Sequence, residues 1–360
     1  MINTTKKLVS VALFALGLTA VAQDTNPTEA KYADTTDASI EIAGLQISGS
    51  VDAYFRRNIT AGNEFVDSLG DDGGFYAPGT SFANRNGFSF GMANLVLSKE
   101  GEKAGFVADL VFGPRGEGAV FLSGPSNNIV NQLYAYWNVS ESVTFTLGNF
   151  NTFLGYEVIS PVGNFNYSTS YMFSSGPFSH TGLKADFALS DDLSAMVGIM
   201  NSTDFTEINF DDRYTVGAQI GFKDQYLNVL FGKQTNADNP TADVEDPTFQ
   251  IDYTGGGDLS DDFFLGVNAT YNTTDGAGFY GAALYPQLNL SDDFAIGLRA
   301  EYFQVIDDIS YVDITLTGSY EVGDLTIKPE FRLDAASEEI EVFENESSLA
   351  SFLVSAIYAF

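Results

Sequence analysis

The chain has 360 residues, a formal net charge of −32 at pH 7 and no cysteine. Without cysteine it cannot form disulfide bonds, thiolate metal sites or a cysteine nucleophile. Its acidity argues against nucleic acid as a partner, because nucleic-acid binding needs basic patches, and it favours cations.

The first 22 residues have the pattern of an export signal. Lys6 and Lys7 precede an apolar run over residues 8–22, which ends in Ala20-Val21-Ala22, a small-x-small cleavage sequence. A membrane anchor is the weaker alternative, because the run is short for a spanning helix and no stop-transfer pattern follows. We expect residues 1–22 to be removed, and the loss of two lysines takes the net charge from −32 to −34.

Residues 23–44 are rich in Thr and Asp and predict a flexible mature N-terminus, too short to form a folded plug. No later stretch approaches the 18 consecutive apolar residues of a transmembrane helix. From Leu45 onward the chain alternates apolar and polar residues with period 2. In residues 132–139, for example, the even positions are Gln132, Tyr134, Tyr136 and Asn138, and the odd ones are apolar. This period predicts β-strands.

The connections between these strands are of two kinds. Three tight turns share the sequence Leu-Ser-Asp-Asp, at residues 189–192, 259–262 and 290–293. Ser and Asp make compact turns through side-chain-to-backbone hydrogen bonds. Long connections are rich in Gly, Asn, Asp and Glu, and they cover 58–86, 151–178, 235–247 and 335–347. Sixteen strands fit between residues 45 and 360, and single-chain bacterial barrels require an even number.

The last strand, residues 349–360, has Phe352, Val354, Ala356, Tyr358 and Phe360 on one face. This face and its aromatic end resemble the C-terminal signal that the barrel-assembly machinery reads in outer-membrane barrels. A soluble sandwich would bury its apolar face, and a propeller would show a blade repeat that is absent here. The sequence therefore predicts an all-β fold over residues 45–360, a transmembrane antiparallel β-barrel with short periplasmic turns and long extracellular loops.

Five short motifs follow one another in a fixed order from strand 103–113 onward. They are Val107-Ala108-Asp109-Leu110 with Phe112-Gly113, Leu147-Gly148-Asn149-Phe150, Gly155-Tyr156-Glu157, the Asn/Tyr/Ser run of 164–171, and Ser179-His180-Thr181-Gly182. In this order the chain resembles the Putative beta-barrel porin-2 (OmpL-like) family of Gram-negative outer-membrane proteins. The resemblance implies a passive pore, and porins of this size imply a homotrimer, but no motif names a solute.

A sixteen-stranded barrel leaves an aqueous lumen, and alternation turns nine acidic and six basic residues toward it. These are Asp52, Arg56, Asp109, Lys184, Asp186, Arg213, Asp252, Arg299, Glu301, Asp313, Glu321, Lys328, Glu330, Arg332 and Asp334. The alternative for each one is a structural ion pair on the wall.

Loop 151–178 is the predicted constriction, because it follows the fifth strand, where general porins fold a loop inward. It is aromatic, and Glu157 is its only charged residue. We expect it to face Arg56, Arg299 and Arg332 across the lumen, while the alternative is that its aromatics pin it to the wall. The predicted pore-lining residues are Glu157, Tyr156, Tyr167, Tyr171, Arg56, Asp109, His180, Lys184, Arg213, Arg299, Glu301 and Arg332.

An enzyme is not predicted. His180 is the only histidine, and Ser179 beside it points to the opposite face of the strand. No G-x-S-x-G motif is present. The stretch 113–118 lacks the ending of a phosphate-binding loop, which predicts a surface loop. With one histidine and no cysteine, no zinc centre and no cofactor are expected.

The function predicted is an outer-membrane porin for passive diffusion of small hydrophilic solutes or ions, with a mild cation preference. The alternative is a closed barrel whose acidic loops serve surface adhesion or partner docking. Expected partners are outer-membrane lipid and lipopolysaccharide, bridged by divalent cations, and the assembly machinery through Phe360.

Overall fold

The computed structural model describes residues 40–42, 44–70, 73–120, 122–123, 128–209, 212–235 and 246–360. The predicted export signal 1–22 and most of the segment 23–44 lie outside the described residues.

Strands make up most of this part of the chain. They are β1 (Ile40–Ile42), β2 (Leu45–Asn58), β3 (Gly87–Lys99), β4 (Ala104–Phe112), β5 (Val130–Ser140), β6 (Val143–Asn151), β7 (Ser179–Ala188), β8 (Leu193–Met200), β9 (Thr215–Phe222), β10 (Gln225–Gly232), β11 (Thr248–Asp258), β12 (Phe263–Thr274), β13 (Ala277–Ser291), β14 (Phe294–Val305), β15 (Ser310–Val322), β16 (Leu325–Ile340) and β17 (Glu346–Ala359). Two short helices, α1 (Pro114–Ala119) and α2 (Tyr171–Ser175), and a 3-10 turn (Glu341–Phe343) lie in connections.

Strands β2 to β17 form a closed barrel. Each pairs antiparallel with the next in sequence, and β17 pairs back onto β2 from Ser351 opposite Asn58 to Ala359 opposite Ser50. Gly49 and Phe360 exchange backbone hydrogen bonds of 2.7 and 2.9 Å at the end of this seam. The predicted sixteen-stranded antiparallel barrel is confirmed.

The two faces of the strands differ as the alternation predicts. On β2, Asp52, Tyr54 and Arg56 are buried, whereas Val51 between Ser50 and Asp52 is exposed. Phe88 on β3 is 90% exposed, the kind of outward aromatic side chain that suits a lipid boundary. Apolar residues therefore cover the outside of the barrel, and most charged residues of the strands lie on its inside.

At the short-turn end, the last residues of the segment predicted to be flexible form β1. Its residue Ile40 pairs with Ile47 on β2. Because β17 ends opposite Ser50, the first residues of β2 would otherwise present unpaired backbone groups along that edge, and β1 satisfies them.

At the other end, two connections are shorter than the long loops of the barrel. Strands β12 and β13 run on to a two-residue turn at Asp275 and Gly276, whose φ angles of 50° and 84° suit a type I′ hairpin. Strand β16 continues to Ile340 rather than ending at 334, because Ala335 and Ala336 keep pairing with β15. The prediction of a loop over 335–347 is therefore wrong for its first half.

Among the described residues, no helix is long and apolar enough to cross a membrane.

Candidate functional site

Loop 151–178 lies inside the barrel and crosses it. The Gly155 amide donates to Asp252 on β11 (2.9 Å), and the Tyr171 hydroxyl donates to Asp334 on β16 (2.9 Å). Tyr167 reaches Asp52 on β2 through its hydroxyl. The loop connects β6 to β7. Its contacts with β11, β16 and β2 therefore reach strands on the far side of the barrel.

Inward glycines on the wall receive the large side chains of this loop. A Cβ added to Gly217 would lie 2.5 Å from the Phe153 ring, and one added to Gly281 would lie 2.8 Å from Met172. Gly266 and Gly297 are in equally close contact with Tyr156 and Phe165. Only a residue without a side chain leaves this space, so the glycines of β9, β12, β13 and β14 act as sockets for the loop.

A buried charge network fixes the loop to β14, β15 and β16. Arg299 is fully buried and contacts Glu157 of the loop at 2.7 Å and Asp313 on β15 at 2.8 Å. Arg332 pairs with Asp334 at 2.8 Å and donates to the Thr169 carbonyl at 2.8 Å. Buried charges are tolerated only when they are paired and hydrogen-bonded, as these are.

This network corrects one sequence-based expectation. Arg299 and Arg332 were expected to face the loop across an open lumen, and the structure instead places them in direct contact with it. The loop is folded far enough into the barrel to cover that wall. The alternative, structural ion pairs, describes these arginines better than pore lining does.

Carboxylates of the same wall bind the loop backbone. Glu330 accepts from the Tyr167 amide at 2.8 Å, and Glu301 accepts from the amides of Tyr171 and Met172 at 2.9 and 2.7 Å. The latter two amides begin α2, where the unpaired N–H groups of a helix favour a negative charge. Lys328 donates to the carbonyl of Pro161 at 3.2 Å.

Two loop tyrosines donate to carboxylates of the wall. Burial, and then the nearby carboxylates Asp52 and Asp334, raise the pKa of Tyr167 and Tyr171 well above its ordinary value. Both hydroxyls therefore stay protonated and serve as hydrogen-bond donors. Tyr156 stacks on Tyr285 of β13, with ring centroids 4.1 Å apart.

Four other predicted pore-lining residues lie apart from this network. Arg56 is buried against the connection 59–86, where it donates to the Tyr76 carbonyl at 3.3 Å. His180 is buried and hydrogen-bonded to Thr152 at 2.9 Å, and Lys184 pairs with Asp186 at 3.1 Å. Arg213 precedes β9, whose ladder starts at Thr215, so it lies in a loop rather than on the wall.

Glu321 shares the face of Asp313 and Ser319 on β15, as predicted, but it is exposed because it lies at the short-turn end of the strand.

A cavity of about 300 Å³ remains on the opposite side, between the loop and strands β3 to β6. Val158 and Ser160 of the loop form one side of it, and Asp109 on β4 lies in its wall. Its charged lining residues are Glu100 and Asp109, and neither Lys nor Arg is among them. The charged residues that border this cavity are thus all acidic.

Carboxamides surround Asp109 and were not singled out from the sequence. Asn94 donates to Asp109 Oδ1, and Asn131 and Gln132 donate to its Oδ2 at 2.6 and 3.4 Å. Their only signal in the sequence is an uncharged polar residue at an inward position. That signal recurs on many strands, so it could not select these three.

An apolar cluster lies next to the cavity and shares Met92 with its lining. It joins three connections to the wall and consists of Phe82, Met92, Val111, Ala119, Val120, Ile159 and Phe178. Arg115 of α1 is buried there, donates to the Ile159 carbonyl at 2.7 Å and lies 4.4 Å above the Phe82 ring. The expectation of a surface loop at 113–118 is therefore wrong, because this stretch packs on β3 and β4.

The end of loop 151–178 is held by Asp204. Its Oδ1 accepts from the amides of Phe178 and Ser179 at 2.7 and 2.9 Å. Burial raises the pKa of Asp204 to about 6. The two accepted hydrogen bonds lower this pKa, but burial has the larger effect.

A closed antiparallel barrel with an apolar outside, a polar inside and a loop folded into its lumen defines an outer-membrane channel protein. The chain belongs to the Putative beta-barrel porin-2, OmpL-like family, whose model matches residues 44–360. The resemblance noted from the sequence motifs is confirmed. A comparison with curated proteins finds no match.

Solved structures of outer-membrane proteins share the fold. The outer membrane channel DcaP of Acinetobacter baumannii has a TM-score of 0.57 at 11% identity and covers 89% of this chain and 99% of its own. The anion-selective porin from Comamonas acidovorans has a TM-score of 0.58 at 10% identity, with 88% and 99% covered. A trimer form of in-vitro folded OmpT of Vibrio cholerae has a TM-score of 0.51 at 10% identity, with 88% and 99% covered.

The chain is accordingly an outer-membrane β-barrel of a porin family. Porins of this kind are channels without enzymatic activity, so the prediction that the chain is not an enzyme is confirmed. Among the described residues, no group of three or more His, Cys, Asp or Glu is arranged to hold a metal ion.

Proposed function

We propose that this porin lets small hydrophilic solutes and ions diffuse passively, with a mild cation preference, and that loop 151–178 constricts the path. The observation that carries the proposal is the cavity between the loop and β3 to β6, with Glu100 and Asp109 as its charged lining. Carboxylates along a narrow aqueous path favour cations over anions.

The position of the basic residues supports the same selectivity. Arg299 and Arg332 are paired with carboxylates beneath the loop, and Lys184 is paired with Asp186. Their charges are neutralised locally and act only weakly on ions in the cavity. The net charge of the whole chain, −32, adds a long-range attraction for cations.

A second candidate is the closed barrel with a surface role. It is favoured by the apolar cluster around Phe82 and Ile159, which packs three connections together next to the cavity. In this alternative the acidic extracellular loops dock a partner, and no solute passes.

The assembly partners form part of the proposal. A homotrimer is supported by the trimer form of the similar OmpT. The terminal Phe360, paired with Gly49, is proposed as the contact read by the barrel-assembly machinery, after export directed by residues 1–22. The acidic residues near Glu344 are proposed to hold lipopolysaccharide through divalent cations.

Conductance in a planar lipid bilayer tests the proposal. Steady openings with a cation-biased reversal potential in a salt gradient are expected, and Glu157→Gln should alter them by loosening the loop from Arg299. A barrel that inserts and never conducts would contradict the pore and favour the surface role.

A further inference from the structure

We propose that the cavity beside β3 to β6 binds linear organic dications of the diamine class, with one ammonium group near each of its two carboxylates. The inference rests on the proposed cation-preferring channel and names a class of solute for it. The cavity of about 300 Å³ is at the lower end of the range of small-molecule pockets, about 300–1,000 Å³. It is therefore large enough for a small organic molecule.

The two carboxylates of the lining lie at opposite ends of one strand face. Val96 on β3 pairs with Asp109 on β4, and Glu100 follows Val96 by four residues. Val96, Ser98 and Glu100 all line the cavity, as alternate residues of an extended chain should. Four extended residues span about 13 Å. The negative charge of the cavity is therefore divided between two separate places, which favours an elongated cation over a compact one.

Aromatic side chains lie along the path between these two carboxylates. On β5, Tyr134 and Tyr136 both line the cavity. The strand register places Tyr134 between the levels of Asp109 and Glu100, and Tyr136 level with Glu100. The Tyr136 ring leans over Gly105, where an added Cβ would lie 2.3 Å from the Tyr136 hydroxyl oxygen. Methylene groups pack on such apolar surface, and the face of a tyrosine ring attracts an ammonium group.

Neutral groups hold the Asp109 carboxylate in position. Asn94 donates to its Oδ1, and Asn131 and Gln132 donate to its Oδ2. A carboxamide carries no charge, so these donors orient the carboxylate and favour its ionised form without cancelling its charge. The attraction between this carboxylate and an ammonium group acts through charge and needs no direct hydrogen bond.

Solutes of other classes use less of this lining. An anion would meet Asp109 and Glu100 and no lining Lys or Arg. A neutral solute gains nothing from either carboxylate. An inorganic cation is attracted by both, but it has no alkyl chain to pack on Val96 and the tyrosines, and it cannot lie near both ends at once. A diamine interacts with the carboxylates and with the apolar surface between them.

The separation of the carboxylates sets the length of the diamine. In 1,5-diaminopentane, six bonds of about 1.5 Å join the two nitrogen atoms, so the extended molecule spans about 7 Å between them. With about 3 Å from each nitrogen to its carboxylate oxygen, the molecule covers the distance from Asp109 to Glu100. The shorter 1,3-diaminopropane is expected to reach only one of them.

The full-length protein can be tested with 1,5-diaminopentane and with its single-charge counterpart, pentylamine. Saturation-transfer NMR in detergent detects binding without a current, and titration of the current in a bilayer measures block. We expect 1,5-diaminopentane to bind saturably and to reduce the current. Pentylamine and 1,3-diaminopropane should bind about threefold more weakly, the order expected for the loss of one exposed ion pair.

Two exposed glutamates of the same turn provide a matched pair of variants. Glu100 lines the cavity and Glu102 does not. Glu100→Gln should weaken the binding of 1,5-diaminopentane about threefold and make its affinity equal to that of pentylamine. Glu102→Gln removes the same charge nearby and should keep the preference for the diamine. The heat-dependent gel mobility of both variants checks their folding.

The outcomes separate this site from the channel itself. A protein that conducts salt but shows no amine signal in either measurement overturns the site and leaves the pore. An amine signal without salt conductance supports the site and rejects the pore. Equal affinity of the wild type for 1,5-diaminopentane and pentylamine overturns the site, and so does an equal loss in Glu100→Gln and Glu102→Gln. The comparison of the three amines uses the wild type alone, so it decides the matter even if a variant does not fold.

Discussion

Two parts of the inner wall use similar polar residues for different purposes. On β14 to β16, Arg299, Arg332 and Glu330 are buried beneath loop 151–178 and bind it. On β3 to β5, Asn94, Asp109 and Gln132 line a cavity that the loop leaves open. The comparison shows that an inward polar residue borders open space only where the loop does not cover it.

The largest effect on stability is expected when Arg299, on the wall that loop 151–178 covers, is replaced. Arg299→Met leaves the buried carboxylate of Glu157 without its ion-pair partner and leaves Asp313 with Arg332 alone, at 3.3 Å. Loss of one member of a buried ion pair costs about 3–5 kcal/mol. We expect a lower unfolding midpoint in urea and a larger, noisier conductance as the loop loosens. Arg57→Met, at an exposed position on β2, should change neither.

The glycine sockets are expected to show a smaller effect. Gly266→Ala places a methyl group against Tyr156, and such overpacking typically costs about 1–3 kcal/mol. The matched control is Gly257→Ala, where a Cβ would meet nothing within 4 Å. Thermal unfolding of the two variants tests the socket, and equal midpoints would show that Tyr156 moves aside without cost.

The attachment of the loop at Asp204 should depend on pH. Because burial raises the pKa of Asp204 to about 6 in the folded protein, its contribution to stability is complete below the ordinary aspartate pKa and is lost as the pH rises through about 6. Asn at this position keeps the acceptor oxygen and does not titrate. The difference in unfolding midpoint between wild type and Asp204→Asn should therefore change between about pH 4 and pH 7, and a constant difference would rule out this role.

The smallest effect concerns the open wall at Asp109. Asp109→Asn removes a carboxylate from the cavity and should move the reversal potential in a salt gradient toward zero. Its amide group replaces one accepting oxygen and faces the N–H donors of Asn94 or Asn131, so the unfolding midpoint should also fall. Asp186→Asn removes a carboxylate that is paired with Lys184, and it should shift the reversal potential less than Asp109→Asn does. A larger shift in the second variant would place the ion path elsewhere.

The sequence was sufficient for the barrel and insufficient for the site. Successive side chains of a strand point to opposite sides, so a period of two in the sequence predicts which side chains point outward and which inward. On β2, for example, it separates Val51, which is exposed, from Asp52, which is buried. It cannot show which inward residues a loop will cover. The contact between Arg299 and Glu157 joins residues 142 positions apart, and nothing local to either one indicates it.

Two further errors have local explanations. The short strand Ile40–Ile42 was missed because three residues are too few for a periodic pattern. The stretch Pro114–Ala119 contains two glycines and resembles a surface loop, yet close packing of Gly116 against Val111 favours a buried helix there. In both places contact with a neighbouring strand decided the local structure, through pairing of Ile42 with Leu45 and packing of Gly116 on Val111.

The central claim is that the path follows β3 to β6 and avoids the wall that the loop covers. The absence of cysteine from the chain allows single cysteines to report on this directly. Ser98 lines the cavity, whereas Ser355 on β17 is fully buried, and both side chains point inward. Current through Ser98→Cys should fall when a cationic thiosulfonate reagent is added, and current through Ser355→Cys should not. Block of Ser355→Cys with no effect on Ser98→Cys would contradict the account.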